Sequence, residues 1–293
     1  MTGIKTGTYI NPTLAQHPCY NGEAHGRYGR IHLPVSPYCN IRCRFCKRSR
    51  NMHEDRPGVA RGILLPEQAV GVLARALELC PEITVVGVAG PGDPLASPHA
   101  LETFRLVDAA YPRLVKCMST NGLALFRHAQ AIADVGVKTL TVTVNAVQAD
   151  ILEKINGGID TDDGFLDGKE GALRLLFAQM AGIRKVTELG VTVKINSVLV
   201  PGVNDTHIGE IARVTKSVGA SLMNIIPLIP QHEFAHVEAP DCLRLNEARE
   251  AAERHLPVFR HCKHCRADAC GIPGGRDFAS ELYDRRLDTF SHG

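Results

Sequence analysis

Residues 38–46 read Tyr-Cys-Asn-Ile-Arg-Cys-Arg-Phe-Cys and place Cys39, Cys43 and Cys46 in a C-x3-C-x2-C spacing. Three thiolates on one short stretch can hold three irons of a cubane cluster and leave the fourth iron open to chelate a small molecule. Three other readings compete. A structural zinc site normally wants four ligands, often as two C-x2-C pairs. A disulfide framework wants a small secreted chain. Three cysteines can also fall together by chance.

The rest of the chain favours the metal reading. Its 293 residues suffice for one α/β barrel or two small domains, and a hydrophobic content of 44% is enough to fill a core. The net charge of +2 points to neither nucleic acid nor an anionic membrane. Residues 1–16 lack the apolar run of a signal peptide, and no stretch reaches the roughly 18 apolar residues of a membrane span. The expectation is a cytoplasmic protein whose 10 cysteines serve mainly as metal ligands rather than in disulfides. No repeat or Ser/Gly linker interrupts the chain. It reads as one domain with a core over about 31–230, an N-terminal extension 1–30 and a C-terminal extension 231–293.

Taken in order, residues 1–30 are polar and Gly-rich, so irregular structure is expected. His17 and Cys19 stand two apart and can reach one metal, though alone Cys19 reads as a buried thiol. Strands are expected at 31–36, 83–89, 114–119, 138–145, 191–200 and 222–229, each a β-branched or apolar run. In the fourth, Thr139, Thr141 and Thr143 alternate with Leu140, Val142 and Val144. Helices are expected from Pro66, near 99–110, near 124–135, along a stretch with Leu173, Leu176, Phe177, Met180 and Ile183 on one core face, after the cap Asn204-Asp205, and at 245–255. Residues 156–168 are Gly/Asp-rich and read as a long loop or lid. The alternation predicts a partial or full TIM-like α/β barrel with its site at the C-terminal strand ends. Cys39, Asp93, Thr120, Asn145 and Pro201 all fall there.

Two further stretches invite chemistry. Gly90-Pro91-Gly92-Asp93-Pro94 ends the second strand, where glycines let a ligand approach the backbone. Lys47, Arg48, Arg50 and Arg56 follow the cysteines, either as a solvated loop or as a cationic wall around anionic clusters. In the tail, Cys262 and Cys265 form a C-x2-C pair; zinc completed by His261, His264 or Cys270, or a second iron–sulfur cluster, both suit the spacing. Cys80 and Cys242 read as structural.

The triad with Phe45 before its last cysteine resembles the radical SAM superfamily. Within it, HPCYNGEAH (17–25), PYCNIRCRFCKR (37–48), AGPGDPLA (89–96), CMSTNGL (117–123), TVTVNAV (141–147), ELGVTVKINSVLVPGVND (188–205) and HCKHCRADA (261–269) resemble the NifB family. That family builds the carbide-containing iron–sulfur core of nitrogenase cofactors; the resemblance is to its stand-alone form, without a NifX-like domain. It implies a partial (β/α)6 barrel whose extensions cap the barrel mouth. It implies that Cys39, Cys43 and Cys46 hold a SAM-cleaving [4Fe–4S] cluster. Phe45, Gly90, Gly92, Asp93, Thr120, Asn145 and Val198 would contact S-adenosylmethionine, Asp93 facing its ammonium. His17, Cys19, Glu54, Cys117, Cys262 and Cys265 would hold or adjoin two substrate [4Fe–4S] clusters. The implied partners are iron–sulfur cluster donors, a low-potential reductant such as ferredoxin or flavodoxin, and nitrogenase cofactor scaffold or carrier proteins. One departure stands out: Met52 occupies the place of a further family cysteine, with His53 and Glu54 next to it as substitutes. That departure favours the alternative of a radical SAM paralogue acting on a peptide or small metabolite. A non-enzymatic iron–sulfur carrier is the third reading.

Overall fold

A computed structural model describes residues 12–262, 264–283 and 290–292. Six parallel strands form its centre: β1 (Gly29–His32), β2 (Ile83–Val88), β3 (Val115–Thr120), β4 (Val137–Thr143), β5 (Thr192–Leu199) and β6 (Leu222–Pro227). They lie side by side in chain order, and a short β7 (Cys270–Gly271) pairs antiparallel with the free edge of β1. The sheet therefore keeps two edges and forms the expected partial (β/α)6 barrel. The first strand ends earlier than its sequence suggests. Pro34 has no N–H to give a ladder, and beyond it only Ser36 pairs again, with Pro91.

Each strand divides its residues between two faces. Ile31, Val86, Met118, Leu140, Val142, Val193, Ile195 and Ile225 point outward into one core. Against them pack α1 (Pro66–Leu79), α2 (His99–Ala110), α3 (Leu125–Asp134), α4 (Gly168–Glu188), α5 (Ile208–Ser217) and α6 (Cys242–Glu253). Each fully buried Leu, Ile or Phe contributes about 1.5–3 kcal/mol. Among the intervening residues, Arg30, His32, Cys117, Thr141, Lys194 and Asn196 give the barrel lumen a polar lining.

Two expectations need correction. Residues 156–168 are no loop or lid: Asn156–Thr161 and Gly164–Leu166 form a hairpin, and the first of these strands pairs with Ile41–Cys43 of the cysteine stretch. An Asp162-Asp163-Gly164 turn makes the reversal, with Gly164 at φ +123°. On α4, Leu176 and Ile183 are buried, but Leu173 and Phe177 are 42% and 73% exposed, so they are not core. The buried stripe is Ala172, Leu175, Leu176, Gln179, Ile183 and Val186. Gln179 fixes the rotation, since its Nε2 donates to Asn121 O (2.7 Å) and Thr143 O (2.9 Å).

Both extensions close on the lumen. From the N-terminal side, Gln16 O accepts the Thr84 hydroxyl at the start of β2, and the Tyr20 hydroxyl meets Thr141 at 3.3 Å. The C-terminal segment follows the β6 edge through Met223 N–H to Pro257 O, then crosses to β1 and reaches the loops at the mouth. There Arg266, 4% exposed, pairs with the fully buried Asp268 and donates to Asn51 O and Glu54 O. Arg61 meets Asp268 from the other side at 3.2 Å.

Breaking a buried ion pair leaves a charge without its counterpart and costs about 3–5 kcal/mol. Arg266→Met should lower folding stability by that amount in a denaturant titration. A loss below about 1 kcal/mol would show that the extension is not locked through this pair.

Candidate functional site

The cysteine stretch leaves the end of β1 and is braced on two sides. The 156–166 hairpin supports Ile41–Cys43, and Asp160 N–H donates to Asn40 O at 2.9 Å. From the other side the turn after β2 packs on it directly. Gly92 N–H donates to Ser36 O and Asp93 N–H to Tyr38 O, both at 2.9 Å. A Cβ on Gly92 would lie 2.0 Å from Tyr38 O, so only glycine permits this approach. Within the stretch, Cys46 N–H donates to Cys43 O and tightens the last turn.

Asp93 ties this turn to the end of β3. Its carboxylate accepts from Leu95 N–H (2.9 Å), Asn121 N–H (2.6 Å) and the Thr120 hydroxyl (2.9 and 3.0 Å). Burial pushes its pKa up, and these hydrogen bonds pull it back. Asn121 continues the chain of contacts, its Nδ2 donating to Asn40 Oδ1 (2.7 Å) and lying 3.6 Å from Cys39 Sγ.

These elements surround a cavity of about 240 Å³ at the C-terminal strand ends. Of the residues singled out from sequence, Cys39, Cys46, Phe45, Arg48, Gly92, Asp93, Thr120 and Val198 line it. Cys43, Gly90 and Asn145 do not; the Asn145 side chain instead accepts Val198 N–H at 2.9 Å and joins β4 to β5. Sequence reasoning missed Ser119, Asn121, Thr143, Asn196 and Gln231, which also line it. The inward alternation of polar residues along β3, β4 and β5 was the available signal for the first four. Pro201 begins a turn outside this lining.

The triad thiols resist ionisation when no metal is bound. Burial, then Asp93, pushes Cys39 up to about 12. Cys43 rises well above the usual thiol range through burial and through Cys46 and Cys39. Cys46 also rises by burial, with Arg48 and Arg56 opposing.

A second group of thiols faces the lumen. Burial pushes Cys19 up to about 12, and Lys194, Cys265, Arg30 and Cys117 all lie within its electrostatic reach. Cys262 is exposed and has Lys194, Cys265 and Asn224 as neighbours. His17 is 1% exposed, and its Nδ1 accepts Cys19 N–H at 3.1 Å while Nε2 is buried without a partner. Burial and then Lys194 lower its pKa well below the usual histidine value, so the ring is neutral and able to ligate.

The remaining candidates lie apart. Glu54 bonds Arg56 and Asn51 on the loop after the triad, while Met52 and His53 are exposed there. Cys80 and Cys270 are buried in the main core, and Cys242 is exposed in the first turn of α6. Among the described residues no three His, Cys, Asp or Glu side chains are close enough to share one metal ion. A cubane asks less, because each thiolate binds its own iron. Among the described residues no helix is long and apolar enough to cross a membrane.

A profile of the radical SAM superfamily matches residues 33–215. The FeMo cofactor biosynthesis protein NifB of Methanocaldococcus infernus is 44% identical over 93% of this chain and 91% of its own. Its counterpart in Methanocaldococcus jannaschii is 42% identical over 94% and 93%. The chain belongs to the NifB family of radical SAM enzymes. The NifB of Azotobacter vinelandii is 38% identical over 90% of this chain, which spans 54% of that longer protein. Among solved structures, a radical SAM methyltransferase from Sphaerobacter thermophilus shares the fold, with a TM-score of 0.57 at 21% identity over 78% of this chain and 65% of its own.

Membership in the superfamily implies a [4Fe–4S] cluster and S-adenosylmethionine. The residues present suit both. Two of the three triad thiols line one wall of the cavity, and the Gly92–Asp93 backbone forms another.

The Gly92 contact yields a direct test. Gly92→Ala forces the Tyr38–Cys39 backbone away and should reduce triad iron and weaken SAM binding at least about tenfold, equivalent to about 1.4 kcal/mol. Gly26→Ala, whose Cβ meets nothing within 4 Å, should leave both unchanged. Iron analysis after anaerobic reconstitution and equilibrium dialysis with labelled SAM measure the two effects. Equal values for the two variants would contradict the packing account.

Proposed function

We propose that this chain assembles the precursor of the nitrogenase cofactor: it takes two [4Fe–4S] clusters as substrates and fuses them around a carbide whose carbon comes from SAM. The observation that carries this reading is the stacking of two thiol sets in one barrel. Cys39 and Cys46 line the cavity with Cys43 beside them on the same stretch, while Cys117, Cys19, Cys262 and Cys265 face the lumen below it. Inward-facing Cys117 and Ser119 stand two residues apart on β3, and Ser119 already lines the cavity.

When bound, the triad's [4Fe–4S] cluster supplies an electron to SAM and hence the radical that activates the carbon. The chain's own groups arrange the rest. Cys39, Cys43 and Cys46 bind that cluster, and Asn121 orients Cys39. Asp93 fixes the 90–94 turn so that its backbone, with Phe45, Thr120 and Val198, holds SAM. Cys19, Cys117, Cys262 and Cys265, with His17, hold the substrate clusters. The braced loop and the extensions exclude water from a site where radical chemistry needs dryness. Around it the function calls for cluster donors, a low-potential reductant such as ferredoxin or flavodoxin, and scaffold or carrier proteins for the product.

The second reading, a radical SAM enzyme acting on a peptide or small metabolite, draws support from Met52. It places an exposed thioether, a poor iron ligand, where the family has a cysteine. His53 and Glu54 are the groups able to replace it.

Two variants test the proposal, the first its SAM chemistry and the second its substrate clusters. Replacing Cys39, Cys43 and Cys46 with Ala should abolish 5′-deoxyadenosine formation under dithionite. Cys262→Ala with Cys265→Ala should retain SAM cleavage, lose about one cluster of iron, and form no cofactor precursor. Normal precursor yield from the double variant would overturn the proposal.

A further inference from the structure

Lys194 is 5% exposed in the barrel lumen. Among the described residues its ammonium forms no ion pair with a carboxylate. Its Nζ donates to Cys19 O at 2.9 Å and lies 4.5 Å from the Tyr20 ring centre and 5.6 Å from that of Phe259. A carbonyl and two aromatic faces solvate the charge without neutralising it. Lys116, another buried lysine, provides the contrast, since it reaches the Asp108 carboxylate at 2.5 Å. A buried ammonium without a counter-charge is costly, and among the described residues no carboxylate pairs with Lys194.

What surrounds it is a set of metal-binding groups. Lys194 lies within electrostatic reach of His17, Cys19, Cys117 and Cys262. On β5 it stands two residues before Asn196, which lines the cavity, and it pairs in register with Thr141. Arg30 repeats the pattern across the lumen. It is 6% exposed, donates to Gly271 O (2.6 Å) and to Cys265 Sγ (3.2 Å), and likewise forms no ion pair among the described residues. Two buried cations thus face four thiols; among the described residues neither forms an ion pair with a carboxylate, and the Asp277 carboxylate lies within electrostatic reach of Arg30.

We propose that Lys194, seconded by Arg30, is the counter-charge that anchors an anionic, thiolate-ligated iron–sulfur cluster among Cys19, Cys117, Cys262 and Cys265. This rests on the reading above that these thiols receive a substrate cluster. A cubane bound by thiolates carries net negative charge, so loading it neutralises the lumen. The ammonium is a compact charge on a flexible stem and can follow the cluster as its ligands change. Lys194 is a positioning residue, because it acts on the bound substrate's charge and not on the bonds that form.

The test compares Lys194→Met, Lys194→Arg and the Cys262→Ala/Cys265→Ala pair in the full chain. After anaerobic reconstitution, Lys194→Met should lose lumen iron, or release it to a chelator at least about tenfold faster, since about 1.4 kcal/mol is a factor of ten. Lys194→Arg should retain the iron. The cluster-free Lys194→Met protein should melt at a higher temperature than the cluster-free parent, because a buried charge without a partner has gone. A purely structural lysine would shift melting the other way. Wild-type iron content and release in Lys194→Met, beside clear iron loss in the cysteine pair, would overturn the charge anchor and leave the thiol reading standing. Full iron in the cysteine pair would remove the thiol reading itself. A Lys194→Met chain that melts lower without clusters, or does not fold, would also overturn the inference.

Discussion

The carboxylate of Asp93 joins the parts on which the cavity depends. It accepts from the end of β3 through Thr120 and Asn121 and from its own turn through Leu95. That turn presses without clearance on the backbone of Tyr38, one residue before the first triad cysteine. Asn121 returns from β3 to Asn40 and Cys39. The cysteine stretch is thereby held between a turn on one side and the 156–166 hairpin on the other. A loop carrying three thiols would otherwise be free to collapse on itself. Here backbone contacts fix where its sulfurs face.

Below the cavity the barrel departs from the packed lumen of an ordinary TIM barrel, whose interior is filled by bulky branched side chains. Lys194, Arg30, His32, Cys117 and Thr141 occupy the inward positions instead. Such a row costs stability, and the outward face offsets it with a continuous apolar core. The buried Arg266–Asp268 pair adds a second lock, joining the C-terminal thiol pair to the loop that follows the triad.

Much of this was legible in the sequence, and the exceptions have physical causes. Leu140, Val142 and Val144 announced β4 because a strand between helices and lumen must alternate. The first strand was read too far because Pro34 removes a donor that hydrophobicity alone does not register. The hairpin at 156–166 was hidden by its polar composition, since it is stabilised by pairing with the cysteine stretch and a Gly164 turn. The α4 face was misjudged because its orientation follows a buried Gln179, and a polar residue carries no weight in an apolar stripe. Asp93 and Asn145 were recognisable as strand-end polar groups, but their partners were not, because hydrogen bonding to Thr120 or to Val198 depends on neighbouring strands. Lys194 lay in plain view within an alternating strand; only the tertiary structure shows that among the described residues it has no carboxylate partner.

The central claim is that one barrel brings SAM and substrate clusters into a single reacting space. It is tested most directly by supplying the anaerobically reconstituted chain with SAM labelled in its methyl carbon, adding dithionite, and extracting the acid-labile iron–sulfur product. The account predicts that the label travels with the iron and stays there after small molecules are removed. Label found only in SAM-derived small molecules, in a methylated peptide or in a metabolite would contradict it.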